Sequence, residues 1–240
     1  LGRTSPVLKL AIAVAWLVGM AFSVDPRPPL LVVAAAGIAA VALGAVPPGR
    51  FVLAVAPLWL AALGITLLNT LFSPANGDPA ALELVRVGPL RVTQPALEAG
   101  IAVGLRVFAI AGVGVAFAQT TDATRLVDSL VQQVGVSERF AYGALAAYQA
   151  IPRFGEDLTT LRQARRIRGL GAGWHPRIVV GLLVLAIRHG DALALAMDAR
   201  AFGTGPRTRY RQVRWTALDA AVGTAALIVL VVAVALPLVA

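Results

Sequence analysis

Residues 215–238 read WTALDAAVGTAALIVLVVAVALPL and carry a single charge, Asp219. A helix rises ~1.5 Å per residue, so about 20 mostly apolar residues cross the ~30 Å hydrocarbon core of a bilayer. This stretch meets that requirement. Working outward from it, four more segments are candidates: about Val7–Val24, Leu30–Val46, Phe51–Phe72 and Pro95–Ala118. The second is short, and Pro47-Pro48 gives it a sharp stop. The expected fold is an all-α integral membrane protein with about five transmembrane helices, multi-pass in the cell membrane.

Composition supports the same class. Of the 240 residues, 58% are hydrophobic and 14% charged, with a mean hydropathy of +0.80. A soluble domain carries about 25% charged residues, so the apolar excess needs a bilayer as solvent for much of the surface. Lys and Arg number 21 against 12 Asp and Glu, a formal +9. These basic residues are not interleaved with aromatics as on a nucleic-acid-binding surface; they follow the asymmetry of cytoplasmic membrane loops. With no cysteine, neither a disulfide framework nor a thiolate metal site is available. Ser23-Val24 runs into Asp25-Pro26-Arg27-Pro28-Pro29 without a small-residue cleavage pattern, so the first apolar stretch reads as a retained helix and not a signal peptide.

The chain changes character between Thr120 and Arg214. That stretch holds 14 Arg and 7 acidic residues, a net +7 of the chain's +9. Its longest apolar run, Ile178–Ile187, is too short to span. Thr120-Thr121-Asp122 is an N-cap signal for an amphipathic Ala123–Val134. A longer helical pattern covers Tyr142–Arg168, kinked or broken at Pro152, and another runs from Pro176 to about Ala201. The expected organisation is a membrane domain with four helices over 1–119, a cytoplasmic helical region over 120–213, and a last transmembrane helix over 214–240. Positive-inside counting places the basic region in the cytoplasm. Five spans then put Arg3, Lys9 and the Arg50 loop inside too, with the 73–94 loop outside. That outer loop has a turn at Asn76-Gly77-Asp78-Pro79 and a small hairpin pattern over Val85–Val92. Lys9 can snorkel to headgroups, and Arg106, the odd charge in the fourth span, must face protein or water.

Two helical endings in the basic region are alike. One passes through Leu161 to Arg168-Gly169, the other through Leu193 to Arg200-Ala201. Residues seven apart share a helical face, so Phe154, Leu161 and Arg168 form one stripe, and Ala186, Leu193 and Arg200 another. Apolar residues can fix such a helix against a partner while the guanidinium reaches a carboxylate or carbonyls, anchoring an interface by ~2 kcal/mol or more. An arginine in a last turn also complements the helix dipole, worth ~0.3–1 kcal/mol. Two similarly built endings in one region favour the anchoring role.

At these residues the sequence resembles the transmembrane T component of energy-coupling factor (ECF) transporters, the family that includes the cobalt-transport permease subunit CbiQ. Members carry two short Ala-Arg-X-like motifs on cytoplasmic coupling helices. The corresponding triplets here are Ile167-Arg168-Gly169 and Ala199-Arg200-Ala201, with Ile for the common Ala in the first and Ala for the common Gly in the second. Thr120-Thr121 looks like the family's Thr-Thr opening of its cytoplasmic domain, Tyr148-Gln149-Ala150-Ile151-Pro152 like its Arg-Phe-Ile-Pro segment, and Leu67–Phe72 like the end of its third span. The resemblance implies a non-catalytic subunit that couples two ABC-type ATPase subunits, through Arg168 and Arg200, to a separate substrate-binding S membrane subunit. That partner would import a vitamin or a transition-metal ion. No cofactor, metal site or nucleic-acid partner is implied, and no Gly-x-x-x-x-Gly-Lys-[Ser/Thr] occurs in the chain.

Other chemistry has weaker support. His175 and His189, the two histidines, lack a second ligand at helical spacing. Asp191, Asp198 and Arg200 faintly resemble the carboxylate cluster of phosphatidyltransferases, but no further Asp follows until Asp219. A conventional ABC permease would carry a Glu-Ala-Ala coupling loop, whereas the nearest string, Glu98-Ala99-Gly100, opens a span.

Overall fold

A computed structural model describes residues 4–21, 25–44, 46–88, 90–171, 173–204, 208–209 and 211–239. Its helices are α1 (Pro6–Ala21), α2 (Arg27–Ile38), α3 (Pro48–Leu71), α4 (Gln94–Thr120), α5 (Ala123–Ser129), α6 (Glu138–Ile167), α7 (Pro176–Ala199) and α8 (Ala217–Val239). Helix α2 continues as a π-helical turn over Ala39–Leu43, and α5 does the same over Leu130–Val134. The outer-loop pattern folds as an antiparallel hairpin, β1 (Glu83–Val87) and β2 (Leu90–Thr93). Arg91 Nε bridges back to Glu83 Oε2 at 2.9 Å. The chain divides into two units, residues 1–126 with 214–240, and residues 127–213.

In the first unit, α4 packs along α3 and α2, and α8 packs on α1 and α2. Small residues allow the α3–α4 approach. A Cβ built on Gly100 would meet Thr70 Oγ1, and one on Gly104 would meet Thr66 Oγ1. Gly100-x-x-x-Gly104 is thus a close-packing face of the kind membrane helices use where lipid gives no hydrophobic drive to associate. The buried cluster of Trp16, Met20, Val32, Ala36, Ala109, Val113 and Ala233 joins α1, α2, α4 and α8. Trp16 Nε1 donates to the Ala226 carbonyl at 3.0 Å. The outward faces are apolar, with Leu53, Leu60 and Leu67 of α3 and Leu227, Ile228 and Val231 of α8 all exposed. Such a surface needs hydrocarbon around it, and the protein is a multi-pass membrane protein.

The last span begins with a capping box. Thr216 Oγ1 accepts the Asp219 N–H at 3.3 Å, and Asp219 Oδ2 accepts the Thr216 N–H at 2.8 Å. Asp219 Oδ1 accepts the Ser5 N–H at 2.6 Å, which ties the start of α1 to the start of α8. The lone charge of the 215–238 stretch therefore serves backbone donors.

One expectation needs correcting. The Ile178–Ile187 run, too short to span when taken alone, is only part of the helix expected from Pro176 to about Ala201. Helix α7 continues through Arg188-His189-Gly190-Asp191 into the Ala-rich turns up to Ala199, and at 24 residues it is long and apolar enough to cross a membrane by length and composition. Helices α3, α4 and α8 also qualify, while α1 and α2 are shorter apolar helices. Arg188 and Asp191 sit near the middle of α7, where each would cost ~2.5–3.5 kcal/mol at the bilayer centre. Pro152 is likewise carried inside α6 without ending it.

Candidate coupling site

The second unit is organised around α6 and α7, and three contacts set their register. The Tyr142 and Phe202 rings meet edge-on with centroids 6.4 Å apart. His189 Nδ1 lies 3.6 Å from Asp157 Oδ2. Gly181 faces Leu161, whose δ-carbons would lie 3.3 Å from a Cβ placed there. One residue number falls as the other rises, so the helices run antiparallel. Arg168 therefore lies level with the start of α7 at Pro176, and Arg200 level with about residue 144 of α6. At ~1.5 Å per residue, the two arginines stand roughly 36 Å apart along the pair. The structure does not bring them together; it places one at each end.

Each arginine occupies the same position in the same motif. Helix α6 ends at Ile167, with Arg168 as its C-cap (φ −81°, ψ 7°). The next two amides turn back, Gly169 N–H to the Arg166 carbonyl at 3.1 Å and Leu170 N–H to the Arg165 carbonyl at 3.0 Å. Helix α7 ends at Ala199, with Arg200 as its C-cap (φ −95°, ψ 13°). Here Ala201 N–H reaches the Asp198 carbonyl at 2.9 Å and Phe202 N–H the Met197 carbonyl at 3.0 Å. Both are Schellman caps, which require the third residue of the triplet to be left-handed. Gly169 (φ +71°) adopts this at no steric cost, whereas Ala201 (φ +52°) is the single non-glycine with positive φ among the described residues. The triplet spacing is explained by this turn, which stops the helix and leaves the arginine on its final turn.

The surroundings of the two caps differ. Arg168 is exposed, with the apolar side chains of Ile167 (87% exposed), Leu170 and Trp174 exposed near it in sequence. The stripe expected from spacing is only partly available: Leu161 is half-buried against Gly181. Trp174 and Leu170 were not singled out by the seven-residue spacing, because they lie beyond the helix end where helical periodicity no longer applies. On α7, Leu193 and Leu195 are exposed, as is Arg200. Arg139 Nη2 donates to the Gly203 carbonyl at 3.2 Å, which holds the turn after Arg200 against α6.

The rest of the unit braces this pair. Tyr142 donates its hydroxyl to Asp128 Oδ1 at 2.8 Å. Burial first, then the hydrogen bond to Asp128, pushes the Tyr142 phenol up to about 12. Gln132 Nε2 donates to the Arg211 carbonyl at 2.8 Å, and its Oε1 accepts the Val213 N–H at 3.0 Å. In the first unit, Asp122 Oδ1 accepts the Arg125 N–H at 3.0 Å, so the N-cap expected from Thr120-Thr121-Asp122 forms. His175 caps α7, its Nδ1 accepting the Arg177 N–H at 3.1 Å. Asp191 and Asp198 are exposed on α7, and no group of three or more potential metal ligands exists among the described residues.

The fold is that of a multi-pass α-helical membrane protein carrying a helical pair with an arginine cap at each end. The chain belongs to the CbiQ family, whose model, described as cobalt transport protein, matches residues 1–210. It is 28% identical over 238 residues to the energy-coupling factor transporter transmembrane protein EcfT of Limosilactobacillus fermentum, covering 91% of this chain and 86% of that one. It is 29% identical over 186 residues to the EcfT of Heliobacterium modesticaldum, covering 70% of this chain and 68% of that one. A Bifidobacterium longum protein named as an ABC transporter ATP-binding protein is 25% identical over 256 residues, covering 98% of this chain but only 31% of its own length.

Proposed function

We infer that the chain is the transmembrane T component of an ECF-type importer. It carries ATP-driven motion of two ABC-type ATPase subunits to a separate S subunit in the membrane, which binds the cargo, a vitamin or a transition-metal ion. The observation that carries this reading is the pair of matching caps, one at each end of an antiparallel helical pair. Two ATPases can each take one end without competing for it. A guanidinium offers a planar fork of donors suited to carboxylates at the bottom of a groove. At Arg168, the exposed Ile167, Leu170 and Trp174 supply the apolar rim that excludes water around it.

The relatives support the reading. Two are named as EcfT, and in the Bifidobacterium longum protein a segment like this chain occupies about a third of a protein named for ATP binding. Positive-inside counting puts residues 120–213 on the cytoplasmic side, where the ATPases are. The chain itself is non-catalytic, and hydrolysis belongs to its partners.

The test is reconstitution with the ATPase pair and an S subunit. Arg168→Glu and Arg200→Glu should each weaken assembly by about 30-fold, and together abolish ATP-driven uptake, because each removes an anchor worth ~2 kcal/mol and places a like charge in an acidic groove. Wild-type assembly and uptake by the double variant would overturn the reading. Sidedness is separately accessible because the chain has no cysteine: a single Trp174→Cys substitution should react with an impermeant maleimide only from the cytoplasmic side.

A further inference from the structure

Two cavities in the first unit meet at Lys9. One, of about 460 Å³, is an apolar crevice walled by α1, α2, α4 and α8, with Trp16, Ala36, Phe117 and Ala225 among its lining residues. The other, of about 410 Å³, is polar, lined by Thr4, Gln119, Thr121, Asp122 and Arg125. Lys9 and Thr120 line both. Lys9 lies in the first turns of α1 and Thr120 ends α4, so the polar cavity sits where these helices leave the hydrocarbon and the crevice runs back along them.

Lys9 is buried, and its ammonium donates to the Thr120 carbonyl at 2.6 Å, leaving two of its three donors for other acceptors. The carboxylates nearby also accept from the backbone. Asp122 Oδ1 accepts the Arg125 N–H, and both Asp219 oxygens accept from Ser5 and Thr216. Two cations at the mouth of an apolar slot match an amphiphile with an anionic head. We propose that this paired cavity binds an anionic phospholipid, its phosphate held by Lys9 and Arg125 and one acyl chain lying in the crevice beside Trp16. Each cavity falls in the ~300–1,000 Å³ range of ligand sites, and basic pockets between transmembrane helices at the membrane surface are a known setting for anionic headgroups.

The experiment is native mass spectrometry of the full chain in mild detergent, titrated with phosphatidylglycerol or phosphatidylcholine of identical acyl chains. Phosphatidylglycerol should bind more tightly, and Arg125→Gln should weaken it about fivefold, the contribution of one basic residue near a lipid surface. Ala225→Phe, which fills the crevice, should weaken both lipids while leaving the headgroup preference intact. Inorganic phosphate, which shares the head chemistry but lacks the chain, should not displace the lipid at millimolar concentration. Equal binding of the two lipids, an unchanged affinity in Arg125→Gln or in Ala225→Phe, or displacement by inorganic phosphate would each overturn the proposal. Unchanged helicity and melting of both variants by circular dichroism establish that folding is not the cause.

Discussion

Ala201→Gly and Gly169→Ala should move the two helix ends in opposite directions. Both positions are the left-handed residue of a Schellman cap, at φ +52° and +71°. An L-residue with a β-carbon pays ~1–2 kcal/mol there, while glycine gives back ~0.4–1 kcal/mol through the greater freedom of its unfolded chain. The net preference for glycine is therefore about 0.5–1 kcal/mol, a factor of roughly 2–5 in the opening equilibrium of the last turn. Hydrogen exchange followed by mass spectrometry reads this directly on peptides covering 197–204 and 165–171. The amides that close the caps, those of Ala201 and Phe202 in one helix and of Gly169 and Leu170 in the other, carry the signal. Ala201→Gly should slow exchange at the end of α7 two- to fivefold, and Gly169→Ala should accelerate it at the end of α6 by a similar factor. If both changes shifted exchange in the same direction, or neither did, the two triplets would not share one cap and the structural equivalence of Arg168 and Arg200 would fail.

Two other outcomes follow from packing and charge. Gly104→Leu places a side chain where Thr66 of α3 already sits; overpacking of this kind costs ~1–3 kcal/mol, so the melting temperature in detergent should fall, whereas Gly64→Leu, which meets nothing within 4 Å, should leave it unchanged. Tyr142, held near 12 against an ordinary 10.0, binds its proton more tightly folded than unfolded. Its contribution is complete below pH 10 and is lost as the pH rises from there toward about 12. Absorbance titration at alkaline pH should show one late tyrosine that disappears in Tyr142→Phe, a variant less stable by about 1 kcal/mol at neutral pH.

The membrane helices were legible because their signal is compositional. A run such as 215–238 has few alternatives in water, and the observed helices match the expected spans to within a few residues. The small hairpin and the Asp122 cap were legible for a different reason, as both depend on turn and capping chemistry written in adjacent residues. What escaped is pairing between distant segments. Leu161 looked like half of a docking stripe, yet it belongs to the α6–α7 interface because Gly181, 20 positions later, leaves room for it. The Gly100-x-x-x-Gly104 face was equally available in the sequence, but only the facing threonines of α3 show that it is used. Lys9 was expected to reach for headgroups, and the sequence did not show that the Thr120 carbonyl, at a neighbouring helix end, takes one of its three donors. That α7 is long and apolar enough to span was missed because Arg188, His189 and Asp191 interrupt its apolar run without interrupting the backbone ladder.

The antiparallel register of α6 and α7 makes the pair a calliper with a preset gap. Its jaws, at residues 168 and 200, belong to different helices, so the gap can change only if one helix slides along the other or one of them bends. Sliding would proceed in steps of about one turn, ~5.4 Å, because Leu161 must leave the notch at Gly181 and find another. Bending has a natural location at Pro152, which lacks the amide donor for its turn and lies between the Arg168 jaw and the level of Arg200. A change in spacing imposed from outside would thus be resisted until it exceeded one of these two thresholds, giving the pair a stepped response.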